Sequence, residues 1–212
     1  MKLLLTSSGI SNKTIAKALQ DLTGKLPSQV KIGFVPIALN VEQGSKDWVV
    51  NQFLGLWRNG YSWIDIIDPT AAGVDWRGRL EKVDVVYPSG GNTFHLLEQV
   101  RKTGFDKWLV KNLKHKVYVG GSASTILMSP TIGVAEIDKI DPNLFGLKDL
   151  TGLDLVDFEV VVHVPSMISA KSAEKYARKS KNKVYLFDDE TAIKIDGNKQ
   201  EVVSEGFWRE FG

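Results

Sequence analysis

Apolar residues along this chain fall into two alternating patterns. Short continuous runs occur at Leu3-Leu4-Leu5, over 30–39 (VKIGFVPIAL), over 63–67 (WIDII), over 83–87 (VDVVY) and over 116–119 (KVYV), each closed by Gly, Pro, Ser or Asn. Runs of this kind predict strands buried on both faces, with Pro36 marking the edge of the second. Between them the hydrophobic positions recur at helical spacing. Ile15, Leu19 and Leu22 follow Ser11 or Asn12 as cap; Val49, Phe53 and Trp57 follow Ser45 and stop near Gly60. Phe94, Leu97 and Val100 start a further helix, and Trp108, Leu109 and Leu113 another. Strands alternating with amphipathic helices predict βαβ units, hence an α/β fold with a mostly parallel sheet and helices on both faces. The last third reads as a strand over 158–164, then a basic helix over 170–180 with Ala173, Tyr176 and Ala177 inward. After it, 184–187 and 191–195 form a hairpin or two adjacent strands. No repeat, low-complexity tract or long linker interrupts the pattern, so one α/β domain over 1–212 is expected.

Composition narrows the chemistry. The 212 residues are 43% hydrophobic and 25% charged, ordinary for a globular chain with a real core. There is no cysteine, which excludes a disulfide framework, thiolate metal sites, iron–sulfur clusters and a cysteine nucleophile. Lys and Arg number 27 against 25 Asp and Glu, a net charge of +2 that gives no reason to expect a nucleic-acid partner. The apolar run after Met1 is shorter than the ~7–15 residues of a secretory signal, and no stretch approaches the ~20 of a membrane span. The expectation is a cytoplasmic protein with no membrane partner. The six tryptophans are read as packing residues, with Trp76 and the Phe207-Trp208 pair alternatively as interface or pocket walls. The acidic stretch from Glu136 to Glu159 does not match a calcium loop and reads as surface loop.

Two glycine-rich turns carry the candidate chemistry. The fifth strand runs into Gly120-Gly121-Ser122-Ala123-Ser124, and Thr125-Ile126-Leu127-Met128 begins a helix. A serine on a tight strand-to-helix turn is a nucleophile elbow: small neighbours tolerate the strained backbone, and N–H groups at the helix start can stabilise a tetrahedral oxyanion. The pattern G-x-S-x-G is met except that Ser124 holds the last position. A helix-capping serine in a glycine-rich turn is the plain alternative. The second cluster, Ser89-Gly90-Gly91-Asn92-Thr93, follows the fourth strand. Ligands of open parallel sheets bind beyond the C-terminal strand ends, where the N–H of Gly91 or Asn92 can pair with that of Ala123 as oxyanion donors. Neither cluster has the spacing of a phosphate loop. Of the three histidines, His115 sits in a solvated Lys-His-Lys turn, and His95 starts a helix where it suits a structural or specificity role. His163 closes the apolar run Val160-Val161-Val162 and leads into a loop, which makes it the preferred base for Ser122.

Ser89-Gly90-Gly91-Asn92-Thr93-Phe94 followed by Gly120-Gly121-Ser122-Ala123 resembles the peptidase E family of aspartyl dipeptidase-like serine peptidases, related to the cyanophycinases. Ser129-Pro130-Thr131-Ile132, His163 at a strand end, and Asp188-Asp189-Glu190-Thr191-Ala192 ahead of Asp196-Gly197 extend the resemblance over nearly the whole chain. It implies a flavodoxin-like, class I glutamine amidotransferase-like sandwich. It further implies Ser122 as nucleophile, His163 as base, and Gly91 and Ala123 as oxyanion donors. For the acidic partner of His163 it points to Asp189 or Glu190 on the late strand pair, ahead of Glu136 or Asp138 just after the elbow. Asn92, Thr93 and His95 are assigned to substrate contact. Relatives that take acidic N-terminal residues use a basic side chain in the pocket, for which Lys171, Lys175 and Arg178 are candidates; on their own they read as a solvated face, and no aspartyl preference is assigned.

The expected function is therefore a serine peptidase that hydrolyses short peptides through an acyl-enzyme. Its partner is a peptide substrate; no metal or organic cofactor is implied, and a homodimer is left open. Ser124 in the usual glycine position motivates a rival, a catalytically silent member that binds a peptide or small ligand. A flavodoxin-type small-molecule binder is a third reading.

Overall fold

The computed structural model describes residues 1–212. β1 (Lys2–Thr6), β2 (Lys31–Val35), β3 (Trp63–Ile66), β4 (Val85–Pro88) and β5 (Val117–Gly121) are parallel and ordered β3-β2-β4-β5-β1. β6 (Phe158–Val161) and β7 (Lys183–Phe187) begin a second sheet, running parallel. The chain then returns to the first sheet, where β8 (Thr191–Asp196) pairs antiparallel with β1 and β9 (Lys199–Ser204) with β8. β10 (Trp208–Phe211) ends the chain antiparallel to β7. The result is a seven-stranded sheet, β3-β2-β4-β5-β1-β8-β9, beside a three-stranded one, β10-β7-β6.

Alternate side chains of the parallel strands point to opposite faces. Leu4, Ile32, Phe34, Tyr87 and Val119 face a core of 18 buried residues closed by α1 (Lys13–Thr23) and α2 (Asp47–Arg58). Leu3, Leu5, Val35, Val86 and Tyr118 face a larger core of 42 buried residues. That face is covered by α3 (Trp76–Glu81), α4 (Thr93–Thr103), α5 (Phe105–Asn112), the short α6 (Ala123–Ile126), α7 (Ala170–Ala177) and the small sheet. The expected mostly parallel sheet with helices on both faces is what the chain forms. Asn12 caps α1 by accepting the Ile15 N–H at 2.8 Å, and Gly24 ends it at φ 64°. No helix is long and apolar enough to cross a membrane.

Several expectations need correction. β2 stops at Val35, because Pro36 offers no N–H and 37–41 coil into a 3₁₀ turn. The 184–187 and 191–195 segments are not a hairpin: the turn between them moves the chain from one sheet to the other. On α2 the buried stripe is Val49, Gln52 and Leu56, an i, i+3, i+7 line, whereas i, i+4, i+8 drifts off the face and leaves Trp57 68% exposed. Trp76 is buried in the larger core beside Phe105 and Trp108 and is no pocket wall. α3, β9 and β10 lie outside the sequence reading. The first is one and a half turns long, and the strands are half polar, as befits exposed edges.

Candidate active site

Ser122 stands between β5 and α6 at φ 55°, ψ −113°, a conformation that costs a non-glycine residue about 1–3 kcal/mol. The surroundings over-determine it. The Ser122 N–H donates to the Thr6 carbonyl at 3.1 Å, Thr125 Oγ1 donates to the same carbonyl at 2.7 Å, and Thr6 Oγ1 donates to the Gly120 carbonyl at 2.6 Å. These bonds lock the end of β5 to the end of β1. A Cβ on Gly120 would lie 2.6 Å from Thr125 Oγ1, so only glycine lets the chain reverse here. Ser124 is fully buried; its hydroxyl donates to the Pro88 carbonyl at 2.6 Å and accepts the Gly121 N–H at 2.8 Å. The extra hydroxymethyl group thus ties the end of β4 to the end of β5.

His163 follows β6 and its neighbour Val162, and projects toward Ser122. Its Nε2 is 2.9 Å from Ser122 Oγ, and its Nδ1 is 2.5 Å from Asp189 Oδ1. A carboxylate on Nδ1 holds the proton there and leaves Nε2 as the acceptor for the serine hydroxyl. The Asp189 carboxylate is itself held by three serines. Ser7 and Ser8 donate to Oδ1 at 2.6 and 2.8 Å, and Ser166 donates to Oδ2 at 3.1 Å. Ser7 Oγ also accepts the His163 N–H at 3.0 Å. Burial by itself would raise the Asp189 pKa; the hydrogen bond and charge of His163, with the Ser7 and Ser8 hydroxyls, outweigh it and hold the carboxyl well below the usual range.

Asp189 sits where two antiparallel strand pairs bend. β8 and β9 pair in the large sheet, β7 and β10 in the small one, so 188–190 and 205–207 cross between sheets side by side. The crossings bind each other. The Asp188 N–H donates to the Phe207 carbonyl at 3.0 Å, the Glu205 N–H to the Glu190 carbonyl at 3.1 Å, and the Phe207 N–H to Asp188 Oδ2 at 2.6 Å. Of the acidic candidates, only Asp189 touches His163. Glu190 is exposed and accepts from Asn12 Nδ2 at 3.0 Å. Glu136 and Asp138 are exposed on the 3₁₀ segment 133–139, where Asp138 accepts from Ser172 Oγ at 2.9 Å.

Ser122 and His163 open onto a cavity of about 440 Å³ lined also by Gly90, Gly91 and Thr93. Gly91, at φ 126°, passes so close to the 3₁₀ turn after β2 that a Cβ would lie 2.3 Å from the Ala38 carbonyl oxygen. Its N–H and that of Ala123 donate to no group of the chain. Asn92 is buried with its side chain spent on structure: Oδ1 accepts the His95 N–H at 2.8 Å to cap α4, and Nδ2 donates to the Pro142 carbonyl at 2.9 Å. His95 does not line the cavity. It is 8% exposed and lies against Phe145, ring centroids 5.7 Å apart, and burial lowers its pKa. Lys171, Lys175 and Arg178 lie together on the outer face of α7, away from the cavity.

The walls also include Trp48, expected to be a packing residue, together with Gln52, Val134, Ile168 and two acids, Glu42 and Asp141, none of them assigned to the site by the sequence. Asp141 comes from the stretch expected to be surface loop. Its Oδ2 accepts the Thr93 N–H at 2.8 Å; burial raises its pKa, and the Thr93 hydrogen bonds offset part of the rise. Glu42 is likewise raised, first by burial and then by Asp141. The Asx cap at Asn92 was readable; nothing in local spacing pairs residue 42 or 141 with Ser122.

Comparison with known proteins identifies the family and the fold. Residues 3–203 match Peptidase family S51. An uncharacterized peptidase of Pasteurella multocida (strain Pm70) is 32% identical over 162 residues, 73% of this chain and 74% of that protein. A Peptidase E of Streptomyces coelicolor is 29% identical over 176 residues, 77% of this chain and 64% of that protein. Among solved structures, a putative Peptidase E protein from Listeria monocytogenes EGD-e superposes with a TM-score of 0.81 at 25% identity, covering 96% of this chain and 98% of that one. A peptidase from an acI-B1 actinobacterium shares the fold, with a TM-score of 0.72 at 17% identity over 99% of this chain and 90% of that one. With the family's pattern matching almost from end to end, and the two glycine turns and His163 lying inside the matched span, the chain belongs to Peptidase family S51, the peptidase E family of serine peptidases.

Proposed function

We propose that the chain hydrolyses short peptides by acyl transfer through Ser122. His163 Nε2 takes the hydroxyl proton as Ser122 Oγ attacks the scissile carbonyl. Asp189 stabilises the imidazolium that forms and keeps the ring oriented. The oxyanion rests on the N–H groups of Gly91 and Ala123, which have no other partner. His163 returns the proton to the leaving amine, the C–N bond breaks, and an acyl-enzyme remains. Water then attacks that ester with His163 again as base, and Ser122 recovers its proton as the acid departs.

The observation that carries this reading is the chain of contacts from Ser122 Oγ through His163 to Asp189, at 2.9 and 2.5 Å. A cavity of about 440 Å³ favours short peptides over a folded chain. The test is Ser122→Ala on a dipeptide panel, with fluorophosphonate labelling of both proteins. Cleavage is expected to fall by ~10³-fold or more with the melting temperature retained, and the label is expected on Ser122 alone. Full activity in the variant, or no labelling of the parent protein, overturns the proposal.

A further inference from the structure

His163 reaches Ser122 from a strained backbone. It stands at φ 58°, a left-handed conformation that a residue other than glycine keeps only where its surroundings hold it. Its carbonyl is taken up by the turn that follows. The Met167 and Ile168 N–H groups donate to it at 2.9 and 3.2 Å, and Ser166 Oγ donates to it at 3.2 Å. Its N–H is held from the other sheet, by the hydroxyl of Ser7, which accepts it at 3.0 Å. Ser7 is fully buried and directly follows β1.

A serine hydroxyl has one proton and two lone pairs. The proton of Ser7 goes to Asp189 Oδ1 at 2.6 Å, and one lone pair takes the His163 N–H. The other faces the ring, since Ser7 Oγ lies 3.0 Å from His163 Nδ1. With the carboxylate 2.5 Å away, Nδ1 holds a proton, so the hydroxyl acts there as a second acceptor. An imidazole protonated on Nε2 instead would turn a bare lone pair on both the carboxylate and Ser7 Oγ. Ser8 makes the contrast. It donates to the same carboxylate oxygen at 2.8 Å and makes no hydrogen bond to His163. Both serines support Asp189; the hold on the backbone N–H and ring of the histidine belongs to Ser7.

We infer that Ser7 is a positioning residue for the reaction. It fixes the left-handed backbone of His163 and the protonated Nδ1 of its ring at once, and so keeps Nε2 an acceptor aimed at Ser122. This role rests on the peptidase reading above, and the measurements below separate the two.

Ser7→Ala and Ser8→Ala are compared on the dipeptide panel, with kcat, KM and the rate of fluorophosphonate labelling measured for each. Ser7→Ala is expected to lower kcat about tenfold or more beyond Ser8→Ala, the size of effect of one buried N–H left unpaired. KM is expected to stay within about twofold and labelling to slow in parallel with kcat. Nitrogen NMR of the histidine ring and deuterium exchange of the His163 amide need no turnover. In the parent protein the ring proton is expected on Nδ1 and the amide to exchange slowly. In Ser7→Ala the amide is expected to exchange about tenfold faster than in Ser8→Ala, a change that a general loss of packing would not confine to residue 163. Equal losses of kcat in the two variants, or equal exchange of the His163 amide in both, overturn the role of Ser7. So does a parent protein with its ring proton on Nε2 or an unprotected His163 amide, whether or not Ser7→Ala folds. Labelling of the parent protein reports separately on Ser122: its absence removes the peptidase mechanism, and its presence beside equal losses removes only the role of Ser7.

Discussion

The two strand-to-helix turns at the mouth of the cavity are built from similar residues and do different things. After β5, Gly120 and Gly121 let the backbone reverse so that one side chain, Ser122, is pushed forward at φ 55°. After β4, Gly90 and Gly91 present no side chain at all. Gly91 lies against the Ala38 carbonyl, Asn92 is consumed by its cap and its bond to Pro142, and Gly91 lines the cavity with an N–H that no group of the chain accepts. One turn offers a hydroxyl to the cavity and the other no side chain at all. Glycine in the first permits a chain reversal; in the second it permits close approach. Ser124 belongs to neither role: its buried hydroxyl joins the ends of the strands that carry the two turns.

That contrast is broken most severely on the side-chain turn. In the proposed reaction Asp189→Asn leaves the turn intact but lets the ring of His163 settle in the wrong tautomer, and kcat is expected to fall by ~10³–10⁴-fold with fluorophosphonate labelling slowed in parallel. Gly91→Ala tests the backbone turn. Its Cβ would meet the Ala38 carbonyl, so the loop must shift and carry its N–H with it; a loss of ~10²–10³ in kcat is expected, with Ser122 still present and the fold retained by circular dichroism. Ser124→Ala tests the tie between them. Leaving the Gly121 N–H and the Pro88 carbonyl without that hydroxyl is expected to lower stability by about 1–3 kcal/mol in urea unfolding, while cleavage persists. Cleavage by Ser124→Ala equal to background would instead show that this tie also holds the two turns in register for the reaction.

A pH series sharpens the same point. The Asp189 carboxyl has a folded pKa below its ordinary value of 3.8, so it favours the folded state fully above that pH and loses the advantage as pH falls toward its folded value. The stability difference between parent and Asp189→Asn is therefore expected to be flat near neutrality and to shrink only in acid. A difference that instead grows on acidification contradicts the hydrogen bonding described for Asp189. The smallest effect is expected far from both turns: Lys175→Glu, on the outer face of α7, should change kcat/KM by less than about twofold.

Much of this was legible in the chain itself. Continuous apolar runs and capped amphipathic segments sufficed for the parallel strands and most helices, because those residues are buried in long, regular stretches. Ser122, Gly91, Ala123 and His163 were readable because strained turns and strand ends demand particular residues at short range. The rest depends on distance in the chain. Asp189 and Glu190 are neighbours with the same chemistry, and only the bend between sheets turns one toward His163 and the other toward Asn12. Ser7 and Ser8, at the end of β1, looked like a plain strand terminus and prove to bind Asp189 from more than 180 residues away. Asn92 and His95 show the converse: a polar residue beside a functional loop was spent on a cap, and another on packing against Phe145.

The three residues of the contact chain come from different sheets. Ser122 ends a strand of the large one, His163 follows a strand of the small one, and Asp189 occupies a crossing between them. A shift of a single ångström between the two layers would part Ser122 from His163 while leaving each sheet's own ladder unbroken. Such an arrangement is a gauge of layer alignment: on gentle heating, turnover should fade before the circular dichroism signal does. A hydrogen-exchange map should then find the first loosening in the 188–190 and 205–207 crossings rather than in the parallel strands.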